Sequence, residues 1–305
     1  MSKKLLFKLA VLVTAMMCAL GAAAAEAYAC YTSSNTTLTF YYDNQRSSRT
    51  GTTYDLNTDV NFTDWHNDGT NYYVTQVVFD PSFANARPTS TSDWFDSMTN
   101  LESITGMNYL NTSEVTSMAW MFLGCRKLTS LDVSHFNTSK VIYMTQMFYR
   151  CIGLTSLDLC SFNTSKVIDM QSMFEESNKL QTIYVGNDWN TDAVAYSDNM
   201  FKNCTNLVGG KGTTYDANHV DKTYARIDRG PSAPGYFTAK NAAQRGDVDG
   251  DGSVNISDVT ALINYLLNGN ASGINLRGAD CDQDGSINIS DVTALINYLL
   301  RGTWN

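Results

Sequence analysis

The chain has 305 residues, 43% of them hydrophobic, and a formal net charge of −9 at pH 7. That length suggests two domains, and the acidic balance excludes a nucleic-acid partner. Much of the acid is concentrated: residues 246–305 hold eight Asp and two Arg, a net of −6.

The first 25 residues read as a secretion signal. Lys3, Lys4 and Lys8 give a basic start, an apolar run follows from Leu9 to Leu20, and small residues then offer cleavage at Ala23-Ala24-Ala25 or Ala25-Glu26-Ala27. The apolar run is too short to span a bilayer, and no other stretch is able to. Cys18 follows Met16-Met17, a poor setting for lipidation. A secreted, extracellular or cell-surface place follows. Residues 26–93 form a β-rich N-terminal cap, in which LTFYYD and YYVTQVVFD alternate or run apolar as strands do.

From 94 to 208 the chain repeats itself. Met-Phe recurs at 121–122, 147–148, 173–174 and 200–201, with Trp94-Phe95 as an earlier member. Asn-Thr-Ser recurs at 111, 137 and 163, and Leu opens each apolar pattern at 101, 128, 154, 180 and 207. A fixed period of this length means a solenoid, because one unit is too small to bury its own apolar face. Within a unit, Leu128, Leu131 and Val133 predict a short strand and Asn137-Thr138-Ser139 a turn with Ser139 as helix cap. Val141, Met144, Met147, Phe148 and Cys151 then predict a short helix. Cys125, Cys151, Ser177 and Cys204 form a repeat column, which reads as a row of small buried side chains holding free thiols rather than a disulfide framework. These elements resemble the bacterial surface protein 26-residue repeat, the BspA-like leucine-rich repeats. The resemblance implies an α/β leucine-rich-repeat solenoid of short strands and short helices, non-catalytic, surface-associated, and engaged in adhesion or protein recognition. Two rows are candidates for the exposed sheet face, Glu102, Thr129, Thr155 and Gln181 in one and Thr105, Asp132, Asp158 and Tyr184 in the other, and at least one should face solvent on a common surface.

Residues 209–245 read as a C-terminal cap and linker, with GTTYD at 212–216 echoing GTTYD at 51–55. The last sixty residues then carry a duplicated metal loop, DVDGDGSVNISDVTALINYLL from Asp247 and DCDQDGSINISDVTALINYLL from Asp280. A calcium loop takes oxygen ligands at positions 1, 3, 5, 7, 9 and 12 with Gly at 6. The first loop offers Asp247, Asp249, Asp251, the Ser253 carbonyl, Asn255 (directly or through water) and Asp258. The second offers Asp280, Asp282, Asp284, the Ser286 carbonyl, Asn288 and Asp291. Such hard donors suit two calcium ions. Each loop feeds an amphipathic helix, with Val259, Leu262, Ile263 and Leu266 as one core stripe and Val292, Leu295, Ile296 and Leu299 as the other.

Position 12 is Asp rather than Glu, and no helix long enough enters the first loop at 241–245. The duplicated loop-helix closely resembles the type I dockerin, a small all-α calcium-binding domain of about 246–305 here. The resemblance implies a pseudo-twofold module that anchors secreted proteins to a cohesin-like domain through either of two faces. Carried over by position, one face is Ile256, Ser257, Asn264 and Tyr265, and its twin is Ile289, Ser290, Asn297 and Tyr298. The family's Ser/Thr pair and its Lys/Arg are replaced at these positions.

No catalytic constellation assembles: His66, His135 and His219 lie apart in loop-like segments, and Asp132 and Asp158 read as a polar ladder. The expected function is that of a secreted, non-enzymatic protein. Its repeat face, with Asp132, Asp158 and Tyr184, recognises a protein ligand, and its calcium module docks to a cohesin-like partner or surface assembly. The alternatives are a host-binding adhesin with a purely stabilising calcium module, or a carbohydrate-associated component of a fibre-degrading complex. On the strand face Tyr184 is the one obvious aromatic, which counts against a glycan.

Overall fold

The computed structural model describes residues 24–56, 62–239, 244–250, 253–271 and 274–304. The secretion-signal residues up to 23, including Cys18, and Asp251 of the first metal loop lie outside the described residues.

The N-terminal sheet holds β1 (Glu26–Thr32), β2 (Thr37–Asp43), β3 (Thr52–Asp55), β4 (Gln76–Phe79) and β5 (Ser103–Thr105), in the order β3-β1-β2-β4-β5. β1 pairs antiparallel with β2 and β3, while β2–β4 and β4–β5 are parallel. The alternation in LTFYYD produces β2 and turns Leu38 and Phe40 inward. The second expected strand is shorter than its apolar run: Thr70–Tyr72 forms a 3-10 turn and only Gln76–Phe79 extends. Phe40 stacks on Phe79 at 4.6 Å and on Trp94 at 5.0 Å, and Trp65 on α1 (Asp64–Asn67) donates Nε1–H to the Trp94 carbonyl at 2.9 Å. These bonds join the sheet to the first repeat unit. The parallel strands β6 (Ser156–Leu159), β7 (Thr182–Val185) and β8 (Phe237–Ala239) form a second sheet.

Between these sheets the units are linked by single parallel bridges, Ser90–Ser117–Tyr143–Asp169–Tyr196. The short helix expected over 141–151 is absent. Its apolar residues are buried as the spacing demands, but the backbone runs in successive turns. The Met147 amide bonds back to the Met144 carbonyl, whereas the Gln146, Phe148 and Arg150 amides donate across to Gln171, Met173 and Glu175 of the next unit. Left-handed residues enforce this alternation. Asp93, Trp120, Gln146, Ser172 and Asn199 form one column of positive φ, and Ser97, Gly124, Arg150, Glu176 and Asn203 form another. A non-glycine residue in that conformation costs about 1–2 kcal/mol, and here each amide ladder between units offsets it.

Side chains repeat the same lateral bonding. Thr112, Thr138 and Thr164 are buried, and each hydroxyl donates to the carbonyl, and accepts from the amide, of the Asn one unit on. Asn137 Oδ1 accepts from the Ser139 amide and hydroxyl, so the Asn makes the turn and Ser139 caps no helix. The cysteine column forms no disulfide. The Cys125, Cys151 and Cys204 thiols and the Ser177 hydroxyl each donate to a Phe carbonyl of the preceding unit, at 2.7–3.3 Å. The predicted strand at Leu128–Val133 does not form, although β6 and β7 occupy the equivalent place in the next two units.

One buried acid opposes the fold. Asp93 is 1% exposed, and neither carboxylate oxygen has a hydrogen-bond partner among the described residues. Burial, and then the charge of Asp96, push its carboxyl up to about 7. An unfolded Asp titrates near 3.9. The folded chain therefore keeps a proton that the unfolded chain releases, so the contribution is fully present below about pH 4 and is lost as pH rises through about 7. Asn tolerates the left-handed backbone at this position. Asp93→Asn is expected to melt at the native temperature at pH 4 and several degrees above it at pH 8. Equal melting shifts at both pH values would contradict this account.

Candidate metal centre and docking faces

The two metal loops are closed by the helices they feed. Asn255 caps α2 (Ile256–Asn268), its Oδ1 accepting from the Ser257 amide at 2.8 Å, and Gly269 ends the helix at φ +66°. Asn288 and Gly302 do the same for α4 (Ile289–Arg301), with φ +73° at Gly302. The short α3 (Leu276–Ala279) leads into the second loop. Position 12 is the third helical residue of each capping box. The Asp258 carboxylate accepts from the amides of Val248, Asp249 and Asn255 at 2.7–3.0 Å. That of Asp291 accepts from the amides of Asp282 and Asn288 at 3.1 and 2.7 Å. Both Asp residues are fully buried.

Metal donors converge in each loop. Carboxylate oxygens of Asp247, Asp249 and Asp258 lie within 4.8 Å of one another, as do those of Asp280, Asp282 and Asp284. The first set brings together positions 1, 3 and 12, and the second positions 1, 3 and 5. Asp284 Oδ1 also accepts from the Ser286 amide, and the Ser290 hydroxyl donates to Asp282 Oδ2, holding the Asp282 carboxyl below the usual range. Asp280 Oδ1 is buried and accepts no hydrogen bond from a described residue. A buried carboxylate oxygen left in that state calls for a cation. All donors are oxygen, as calcium requires. Calcium would be held by Asp247, Asp249 and Asp258 in one loop and by Asp280, Asp282 and Asp284 in the other, ordering the loops against their helices. The Asn255 and Asn288 caps meet the loops through their amides, on Asp258 and Asp291, and Ser253 is exposed.

α2 and α4 pack on one another around Val248, Val259, Leu262, Ala279, Cys281, Val292 and Leu295. Two residues expected in the core stripe turn outward instead, Ile263 at 39% and Ile296 at 40% exposure. Ile256 and Ile289 are each 70% exposed, and Leu267 and Leu300 more so. Residues 256, 263 and 267 therefore make one solvent-facing apolar stripe, repeated at 289, 296 and 300. Two packed helices of this size have room for a core only one stripe wide, so the adjacent apolar positions face water. The 7- and 4-residue spacings were the signal for this second face.

The two contact sets are not equivalent. Ser257 and Asn264 are exposed and Tyr265 is half-buried, whereas Ser290, Asn297 and Tyr298 are all half-buried. Trp304 stacks on Tyr298 at 4.1 Å, and Arg245 lies over the Trp304 ring at 4.3 Å while donating to the Cys281 carbonyl. A tryptophan outside the duplicated segment thus covers one tyrosine of a pair that the sequence presents as twins.

On the repeat body, Glu102, Thr105, Thr129, Asp132, Thr155 and Gln181 are exposed, and Asp158 and Tyr184 are half-buried and paired across β6 and β7. Asp132 and Asp158 each accept from an amide two residues on, Ser134 and Cys160, and so shape their own turns. The histidines stay apart from one another. His66 contacts Asp96 at 2.9 Å, His219 contacts Asp216 at 3.0 Å, and His135 packs edge-on against Phe136.

Residues 245–300 match the family model of the dockerin type I domain. Residues 89–223 match a second family model, described as a Mycoplasma protein of unknown function, DUF285. No curated protein and no solved structure matches the chain. The first match spans both calcium loops and almost all of α4. The second spans the left-handed columns, the Thr ladder and the thiol column. Among the described residues no helix is long and apolar enough to cross a membrane.

Proposed function

We propose that this is a secreted, non-catalytic protein that docks through its dockerin-like module to a cohesin-like domain, and so fixes its repeat body to a surface or multiprotein assembly. The observation that carries the reading is the dockerin match over two loops that each gather three carboxylates at the head of a helix with an exposed apolar stripe. Two calcium ions, one per loop, order the module. The repeat body is read as a leucine-rich-repeat-like array. Its exposed rows, with Asp132, Asp158 and Tyr184, are the proposed face for a protein ligand.

Capture of the full chain by a panel of cohesin domains, with calcium and with a chelator, tests docking. Calcium-dependent capture is expected. Ile256→Asp with Leu267→Asp should weaken it a few-fold, because the second stripe remains. Adding Ile289→Asp and Leu300→Asp should abolish it while calcium affinity is kept, since buried apolar anchors dominate such interfaces. Undiminished capture by the fourfold variant would refute docking through these stripes.

A further inference from the structure

The bridges that link the repeat units carry an exposed aromatic row that the docking reading does not use. Tyr143, Asp169 and Tyr196 are consecutive partners along this ladder, joined by the Met144 amide to the Asp169 carbonyl and the Met170 amide to the Tyr196 carbonyl. Their side chains leave the same side of the backbone, since Met144 and Met170, the next residues in their units, fill the interior, and the half-buried Ser197 takes that place after Tyr196. Tyr143 is 41% and Tyr196 60% exposed, and neither ring stacks on, nor hydrogen-bonds to, another described side chain. Bridged neighbours stand about 4.8 Å apart, so the two tyrosines are about 9.5 Å apart with a carboxylate midway. Gln171 and Asp198 are exposed on the same ladder two residues further on, and Trp120 is half-exposed with its Nε1–H on Gln146 Oε1 at 2.7 Å.

We propose that this row binds an extended β-1,4-linked polysaccharide running along the stack of repeat units. Free aromatic rings offer apolar faces to the C–H face of a pyranose, while carboxylates and amides beside them accept and donate to ring hydroxyls. The two-step ladder spacing is close to the disaccharide repeat of a flat β-1,4 chain, in which alternate rings present the same face. Tyr143 and Tyr196 then each hold one of two alternate sugars, and Asp169 accepts from the hydroxyls of the sugar between them. A helical α-linked chain bends away from such a straight row. This site is separate from the strand rows bearing Asp132 and Tyr184, and it does not depend on the calcium module.

The test is binding of the full chain to cellohexaose, xylohexaose, mannohexaose and chitohexaose by calorimetry, with maltohexaose as the α-linked control. A chelator is present, so that a failure of docking does not bear on the outcome. The native chain is expected to bind at least one β-1,4 oligosaccharide and not maltohexaose. Tyr143→Ala and Tyr196→Ala should each weaken binding about tenfold, and the double variant should lose it. Tyr143→Phe with Tyr196→Phe should bind nearly as the native chain does, and all variants should melt within a degree or two of it. Failure to bind any β-1,4 oligosaccharide overturns the proposal, as does unchanged affinity in the double Ala variant. Capture of a protein through this row, without saccharide binding, assigns the row to a protein ligand and likewise overturns it.

Discussion

Replacing Asp258 and Asp291 together by Ala should unfold the C-terminal module and abolish its calcium binding, while the repeat body melts as before. Each carboxylate is fully buried and closes its loop by accepting from backbone amides on both the loop and the helix cap, three from Asp258 and two from Asp291. A buried donor left without its acceptor costs about 1–3 kcal/mol. The Val248 amide is buried and the other four are partly buried, and the five losses together outweigh the small reserve of a core of seven buried apolar residues. Asp258 is also one of the three carboxylates that converge in the first loop, so the metal that would compensate is lost with it. Calcium calorimetry on the full chain should show two ions bound by the native protein and none by the double variant, with the helical signal near 222 nm reduced accordingly. Two ions still bound, with the helical signal intact, would show that these residues neither ligate nor close the loops. Asp258→Asn alone should fall between, keeping one amide acceptor and losing the charge.

The carboxylates that converge in the two loops were legible because metal-binding chemistry constrains residue type at those positions. Oxygen donors must alternate along the loop, Gly must turn it, and the capping pair Asn255–Asp258 recurs as Asn288–Asp291. The repeat period was legible for a similar reason: a stacked unit must put the same side chain beside its neighbour. The local backbone was not. Spacings of three and four between Val141, Met144, Met147 and Cys151 satisfy a helix, but they also satisfy successive turns broken by left-handed residues. Asp93, Gly124, Asn199 and Asn203 stand in the left-handed columns and were the trace in the sequence, whereas Trp120, Gln146 and Arg150 in the same columns give no such sign. The lateral Thr bonds were hidden too, since Asn-Thr-Ser read in isolation makes a turn and only the stack supplies its partner. Trp304 broke the symmetry of the module from outside the duplicated segment, where a reading based on the duplication does not look. The exposed Tyr143 and Tyr196 were missed because the expected helix would have placed them away from any shared ladder.

Phe148→Ala should cost the repeat body about 3–5 kcal/mol, the range for large-to-small changes of a buried aromatic. The Phe148 ring is 1% exposed and is the middle of a column that runs Phe95, Phe122, Phe148, Phe174 and Phe201. It lies nearly parallel to both neighbours, at 5.7 Å from each centroid. Removing it leaves a cavity and also strips one stacking partner from two rings, each pair worth about 0.5–1.5 kcal/mol. The position in the array adds to the effect. In a repeat stack stability is carried by interfaces between neighbours, and this ring takes part in two of them, so the variant weakens both junctions of the central unit. Denaturant unfolding should show a lower midpoint, and a shallower slope if the two halves of the array then unfold separately. Phe148→Leu keeps most of the volume and should cost less than half as much. Phe62→Ala, which removes a ring 54% exposed to solvent and stacked on His66, should cost under about 1 kcal/mol. A midpoint unchanged in Phe148→Ala would mean that the aromatic column does not hold the units together, and that the Thr and amide ladders carry the stack alone.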